Sequence, residues 1–159
     1  MSDVRADGVA VYVYRRVAGA VEFLQIRRTD QTGEYQGSWQ IVYGGIEAGE
    51  TAVQAALREM REEIGLIPRG LFQAEYVETF YFRPKDYVLM MPVFAAEVEA
   101  ACVIKLNEEH DAFRWIPAAA VDSAYMWRTQ REALGIILGE ILQPGPARGE
   151  LEIDLGKAR

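Results

Sequence analysis

One cysteine, Cys102, and one histidine, His110, are all that this chain of 159 residues contains of the soft metal ligands. An intramolecular disulfide is therefore excluded, as are a multi-histidine zinc site and a C-x-x-C site. No apolar run reaches the ~18 residues of a membrane-spanning helix. The opening residues, MSDVRADG, lack the apolar core of a signal peptide. The expectation is a cytoplasmic protein in a reducing compartment, with no membrane partner. Basic charge is also scarce: 17 Lys plus Arg stand against 24 Asp plus Glu, for a net charge of -7. Proteins that grip nucleic-acid backbones carry a basic field, so no nucleic-acid partner is expected. An acidic protein can still bind a phosphorylated small molecule when a cation bridges the two.

Half of the residues are hydrophobic, and only 14 Gly and 6 Pro interrupt them, which suits one globular domain spanning residues 1–159. Residues 8–16 and 21–28 are rich in β-branched and aromatic side chains and flank Ala18-Gly19-Ala20, the pattern of a hairpin. Residues 29–38 read as a polar loop. Residues 39–42 read as a short strand that Gly44-Gly45 breaks. A helix is predicted over residues 51–64, capped by Thr51 and stopped at Gly65. Residues 75–82 and 87–98 read as strands around the turn Arg83-Pro84-Lys85-Asp86. Further short strands are predicted at 103–106 and 112–116, then a C-terminal helix over about 124–142. The tail, 143–159, either frays or packs as a strand. Strands, a helix, more strands and a last helix indicate an α+β fold: an α/β/α sandwich whose mixed sheet is flanked by helices.

The helix over residues 51–64 carries two stripes. Val53, Ala56, Leu57, Met60 and Ile64 share one arc and make a core face. Glu59, Glu62 and Glu63 fall on another side at i,i+3 and i,i+4 spacing, where like charges repel by a few tenths of a kcal/mol. Arg58 and Arg61 offset only part of this. A solvated acidic face is the ordinary explanation of such a stripe. A hard divalent cation is the chemically informative one, because carboxylate oxygens suit magnesium or manganese.

The residues around the helix decide between these. Gly44, five residues, Glu50, seven residues, Arg58-Glu59-Met60, one residue, Glu62-Glu63, one residue, Gly65-Leu66 matches the Nudix box without a gap over residues 44–66. The chain thus resembles the Nudix hydrolase family. The resemblance implies a loop–helix–loop catalytic element and hydrolysis of a nucleoside diphosphate linked to another group, with Mg²⁺ or Mn²⁺ as cofactor. By the same resemblance Glu59 and Glu63 are principal metal ligands and Glu62 an auxiliary one. The carbonyl of Tyr43 is a further metal position. Arg58 orients the glutamates and Glu50 buttresses the loop. Gly44 and Gly65 are structural glycines of the box.

Outside the box the layout is similar to the dihydroneopterin triphosphate pyrophosphohydrolase branch, through Trp39-Gln40 before the box and Glu109-His110 beyond the central strands. Residues 69–91 depart from that branch. Glu109, or its neighbour Glu108, matches a late glutamate that serves as metal ligand or general base. His110 is expected to hydrogen-bond rather than to catalyse. Arg27, and more weakly Arg5, are candidates for contacting a triphosphate, beside Tyr43 and Gly44 at the mouth of the box. Trp39, Tyr81, Phe82 and Trp127 are candidates for stacking on a base or pterin, although aromatics so spaced more often fill a core.

The expected activity is metal-dependent release of pyrophosphate from a nucleoside triphosphate or dihydroneopterin triphosphate. The alternatives are cleavage of a nucleotide-sugar or dinucleotide, or a non-catalytic nucleotide binder. A homodimer through exposed strands is compatible with the sequence.

Overall fold

The computed structural model describes residues 1–29 and 35–158. The centre of the predicted 29–38 loop therefore lies outside the described residues.

Strand β2 (Gly8–Val17) organises the sheet. Its run GVAVYVY has no polar alternation because both of its faces are covered. Ala10, Tyr12 and Tyr14 join one buried cluster, and Val9, Val11 and Val13 join another on the opposite face. Three strands pair with it directly. Strand β3 (Ala20–Arg28) and β5 (Val42–Gly45) pair antiparallel with its two halves, and β7 (Tyr87–Glu97) runs parallel along its other edge. Strand β6 (Gly70–Phe82) forms a long hairpin with β7. β4 (Trp39–Gln40) and β8 (His110–Pro117) both lie against β3, and β1 (Asp3–Arg5) runs parallel to β7. The result is the expected mixed sheet between two helical layers. No described helix is long and apolar enough to cross a membrane.

Helix α1 (Ala52–Ile64) covers the valine face of β2. Its start is a capping box. The Gln54 N–H donates to Thr51 Oγ1 at 3.2 Å, and the Thr51 N–H donates to Gln54 Oε1 at 3.0 Å. Its end is Gly65 at φ 70°, whose N–H donates to the Arg61 carbonyl. Ala55, Ala56, Met60 and Ile64 are buried, with Val53 and Leu57 at the margin.

Several sequence expectations need correction. Gly44-Gly45 does not break the strand: both glycines belong to β5 and pair with Val9 and Gly8. Strand β6 begins at Gly70, earlier than predicted, because a register shift between Gln73 and Val77 hides its period. Glu75 sits at φ 48° in that irregularity, and pairing resumes at Val77 opposite Pro92, which has no N–H to give the ladder. Residues 103–106 form no strand. They run past the end of α1, where the Lys105 N–H donates to the Ile64 carbonyl at 2.9 Å. Asn107 does the same for Glu63 at 3.3 Å, so this segment satisfies carbonyls that a helix end leaves unpaired.

The predicted helix over 124–142 is not continuous. It divides into α2 (Val121–Ala124) and α3 (Arg128–Ile136), and the last turn, Ile137–Leu142, widens to π geometry. The break falls at Tyr125, an extended residue whose ring is 2% exposed and stacks toward Tyr12 in the core. Burying that ring outweighs helix continuity. Of the two expectations for the tail, fraying is not seen among the described residues, and strand packing is limited to one antiparallel bridge, Phe72↔Glu152. A short helix α4 (Arg148–Leu151) seats Leu151 in the α3-side cluster, and the Ile153 N–H then donates to the Leu71 carbonyl at 2.8 Å. Leu151→Ala is expected to cost about 2 kcal/mol of stability in urea unfolding. A loss within about 0.5 kcal/mol, normal for a surface change, would show that the tail is not clamped.

Candidate active site: an arginine hub beside a buried carboxylate

Arg58 is the hub of the box. Its Nε and Nη2 donate to the two oxygens of Glu50, each at 3.0 Å. Nη2 also donates to the Gly45 carbonyl at 2.7 Å. Nη1 donates to Glu59 at 2.8 Å and to Glu62 at 3.1 Å. All five guanidinium N–H groups are thus engaged. The Glu47 N–H also donates to Glu50, closing the loop before the helix. Arg58 holds the Glu50 carboxyl below the usual carboxylate range.

Gly44 is required by contact with Glu59. A Cβ there would lie 2.0 Å from Glu59 Cδ. The loop and the glutamate therefore close on each other only because residue 44 has no side chain. Burial pushes the Glu59 carboxyl up, opposed by its bond to Arg58.

Glu63 is the most buried acid of the box, at 5% exposure. Its Oε2 has no hydrogen-bond partner among the described residues. Burial, then the nearby Glu59 and Glu109, push its carboxyl up to about 9. A carboxylate oxygen of Glu63, one of Glu109 and a ring nitrogen of His110 all lie within 4.8 Å of one another. An orphaned buried oxygen among converging acids is costly unless a cation is bound, and this donor set fits a divalent metal. Glu62 stands apart, with its side chain 56% exposed and turned to Arg58.

Asn107 organises the far wall of this group. Its Oδ1 accepts from the Glu109 N–H at 3.2 Å and lies 2.9 Å from His110 Nδ1, while its own N–H meets the Glu63 carbonyl. Burial pushes the His110 imidazole down, toward the neutral form. The expectation that His110 forms hydrogen bonds is met, yet its position among the acids was not foreseen.

Arg27 and Arg28 point to opposite faces of β3. Arg28 Nη1 lies 3.9 Å from Glu109 Oε2, on the acidic side. Arg27 pairs with Asp111 at 2.7 Å, and its guanidinium lies 5.7 Å from the Trp39 ring centre. Arg114 lies closer over the same ring, at 4.1 Å. The basic residue beside the acids is therefore Arg28, which the sequence reading passed over although strand alternation separates it from its neighbour. Arg5 pairs with Asp7 and lies over the Tyr87 ring.

Tyr43 presents its ring to the α3 face. Its hydroxyl donates to Glu78 at 3.1 Å and accepts from Gln130 Nε2 at 3.0 Å, while Tyr12 donates to the other Glu78 oxygen. Glu78 and Gln130 are each 1% exposed, and neither was singled out from the sequence. A group of rings gathers where β6 ends and α3 begins. Tyr35 lies edge-on to Trp127 at 5.7 Å and 6.2 Å from Phe82, which stacks on Tyr87 at 5.2 Å. Tyr81 turns away and donates to Asp86.

The raised Glu63 pKa means that the folded chain holds this proton more tightly than the unfolded chain. Without metal, the associated stability is full below about pH 4.5 and is lost as pH rises toward about 9. Glu63→Gln removes the charge and keeps the shape. In chelator at about pH 8 the variant is expected to melt above the wild type, and the two should converge near pH 4.5. Equal melting temperatures at about pH 8 would contradict a costly buried charge.

Comparisons with known proteins agree with this geometry. The NUDIX domain family model matches residues 4–134. An octanoyltransferase of Myxococcus xanthus is 33% identical over 111 residues, 68% of this chain, but the match takes in only 30% of that protein. The nucleoside triphosphatase NudI of Escherichia coli is 28% identical over 101 residues, 59% of this chain and 72% of that protein. The E. coli dihydroneopterin triphosphate pyrophosphohydrolase superposes with a TM-score of 0.67 at 24% identity, over 84% of this chain and 95% of that one. With the family model covering most of its length and the box residues assembled around Arg58, the chain belongs to the NUDIX domain family.

Proposed function

We propose that this Nudix hydrolase cleaves a phosphoric anhydride bond in a nucleoside triphosphate or dihydroneopterin triphosphate, releasing pyrophosphate and a monophosphate. The observation that carries the reading is the unpartnered Glu63 oxygen beside Glu109, with Glu59 held next to it by Arg58 and Gly44. Glu59, Glu63 and Glu109 would hold Mg²⁺ or Mn²⁺, with Glu62 and the Tyr43 carbonyl as auxiliary positions. When bound, such a cation neutralises phosphate charge and acidifies a water.

The chain's own groups supply the remainder. Glu109, half exposed, would take a proton from water as the alternative to holding the metal. Arg28 stands beside it to attract phosphate oxygens. Arg58 acts by holding Glu59 and the loop, so it is a positioning residue. The exposed rings of Tyr35 and Trp127, with the half-buried Phe82 beside them, offer apolar surface for a flat heterocycle. NudI is named for nucleoside triphosphates, and the structural relative from E. coli for a pterin triphosphate. Both are compatible with a ring stacked on this group and phosphates at the acids. The half-buried, single Cys102 fits a reducing compartment such as the cytoplasm.

The test is a screen with Mg²⁺ over deoxynucleoside triphosphates, dihydroneopterin triphosphate and nucleotide-sugars, reading pyrophosphate. Release of two monophosphates would move the substrate to a nucleotide-sugar or dinucleotide. No turnover on any of them would favour a binder. Glu59→Gln is expected to lower turnover by about 100-fold or more with the fold intact by circular dichroism. Trp127→Ala should raise KM about tenfold with little change in kcat, the signature of lost ring stacking. An unchanged KM would remove Trp127 from the ring site.

A further inference from the structure

We infer that His110 is itself a metal ligand and gives this cation site a nitrogen donor through Nε2. The inference rests on the metal-dependent reading above, and it concerns the bound cation alone.

The tautomer follows from Asn107. Its Oδ1 lies 2.9 Å from His110 Nδ1 and 3.2 Å from the Glu109 backbone N–H. A backbone N–H can only donate, so the amide atom facing it is the oxygen. Facing an acceptor, Nδ1 must carry the ring proton. The lone pair is then on Nε2, as in metal-bound imidazoles oriented by an outer partner.

The direction of the ring follows from the strand. β8 pairs regularly with β3 up to Arg27↔Ala112, and the next pair is Arg28↔His110. Asp111 is thus an extra residue in a bulge, a device that re-aims side chains. Asp111 goes to Arg27 on one face. His110 comes to the other, with Arg28, and its ring nitrogen approaches the Glu63 and Glu109 oxygens within 4.8 Å. The ring is 5% exposed, so bulk water does not reach it freely. The unpartnered Glu63 Oε2 is the second, independent observation that points to a cation ligand here.

A nitrogen ligand shifts selectivity. Imidazole suits the transition metals, whereas Mg²⁺ prefers oxygen donors throughout. The site is therefore biased toward Mn²⁺ or Co²⁺ relative to one built of carboxylates alone.

The experiment is electron spin-echo modulation of Mn²⁺ bound to the untagged, metal-free protein without substrate. This chain has one histidine, so any imidazole nitrogen signal belongs to His110. Coordinated ¹⁴N modulation is expected, replaced by the ¹⁵N pattern after ¹⁵N-histidine labelling. His110→Gln should abolish it and weaken Mn²⁺ binding about 10-fold to 100-fold, with a clearly smaller change for Mg²⁺ by calorimetry. Mn²⁺ bound without nitrogen modulation overturns the inference and leaves the proposed function standing. Equal weakening of both metals in His110→Gln also overturns it, since that marks a structural role. No Mn²⁺ binding at all overturns the inference and the metal-dependent reading together. The wild-type spectrum decides the matter even if the variant fails to fold.

Discussion

A single guanidinium connects the parts of this site that the chain supplies from different places. The five N–H donors of Arg58 reach the Gly45 carbonyl, both Glu50 oxygens, Glu59 and Glu62. Three carboxylates this close would repel one another, and Arg58 neutralises part of that charge while fixing where each oxygen points. The loop can approach the helix only because Gly44 lacks a Cβ. Glu63 is outside this arrangement. It is buried with an oxygen unpaired, so the protein places one acid where only a cation or a proton relieves it.

The other wall depends on a segment without regular structure. Residues 103–107 lend backbone N–H groups to the exposed carbonyls at the end of α1. In doing so they fix Asn107, and Asn107 fixes Glu109 and His110. The helix end is capped and the Glu109 and His110 segment is oriented by the same few bonds. Stability and site geometry are coupled here through backbone hydrogen bonding.

The two faces of the sheet divide the remaining work. The valine face of β2 packs on α1, which carries the acids, and the tyrosine face packs on α3. Tyr43 and Gly44 are consecutive, so one points to the Glu78–Gln130 knot while the other lies against Glu59. Strand alternation thereby sets the Glu78–Gln130 knot and the acids on opposite faces of β5.

Local chemistry was legible in the residue order. The Thr51 cap, the Gly65 stop, the apolar stripe of α1 and the spacing of Glu50, Arg58, Glu59 and Glu63 all act within a few turns of chain, and residue type fixes them there. The run of β2 likewise announces a strand. What the sequence could not settle depends on partners distant in the chain. Tyr125 breaks a helical pattern because its ring fills a core built by Tyr12 and its neighbours. Residues 103–106 have strand-like side chains but find helix carbonyls instead of a ladder. Arg28 and His110 meet the acids only through the register and bulge of β3 and β8. Short-range propensity and spacing determined the box helix. Long-range pairing decided which charges surround it, because the energy of a charge is set by what is folded against it and not by its place in the chain.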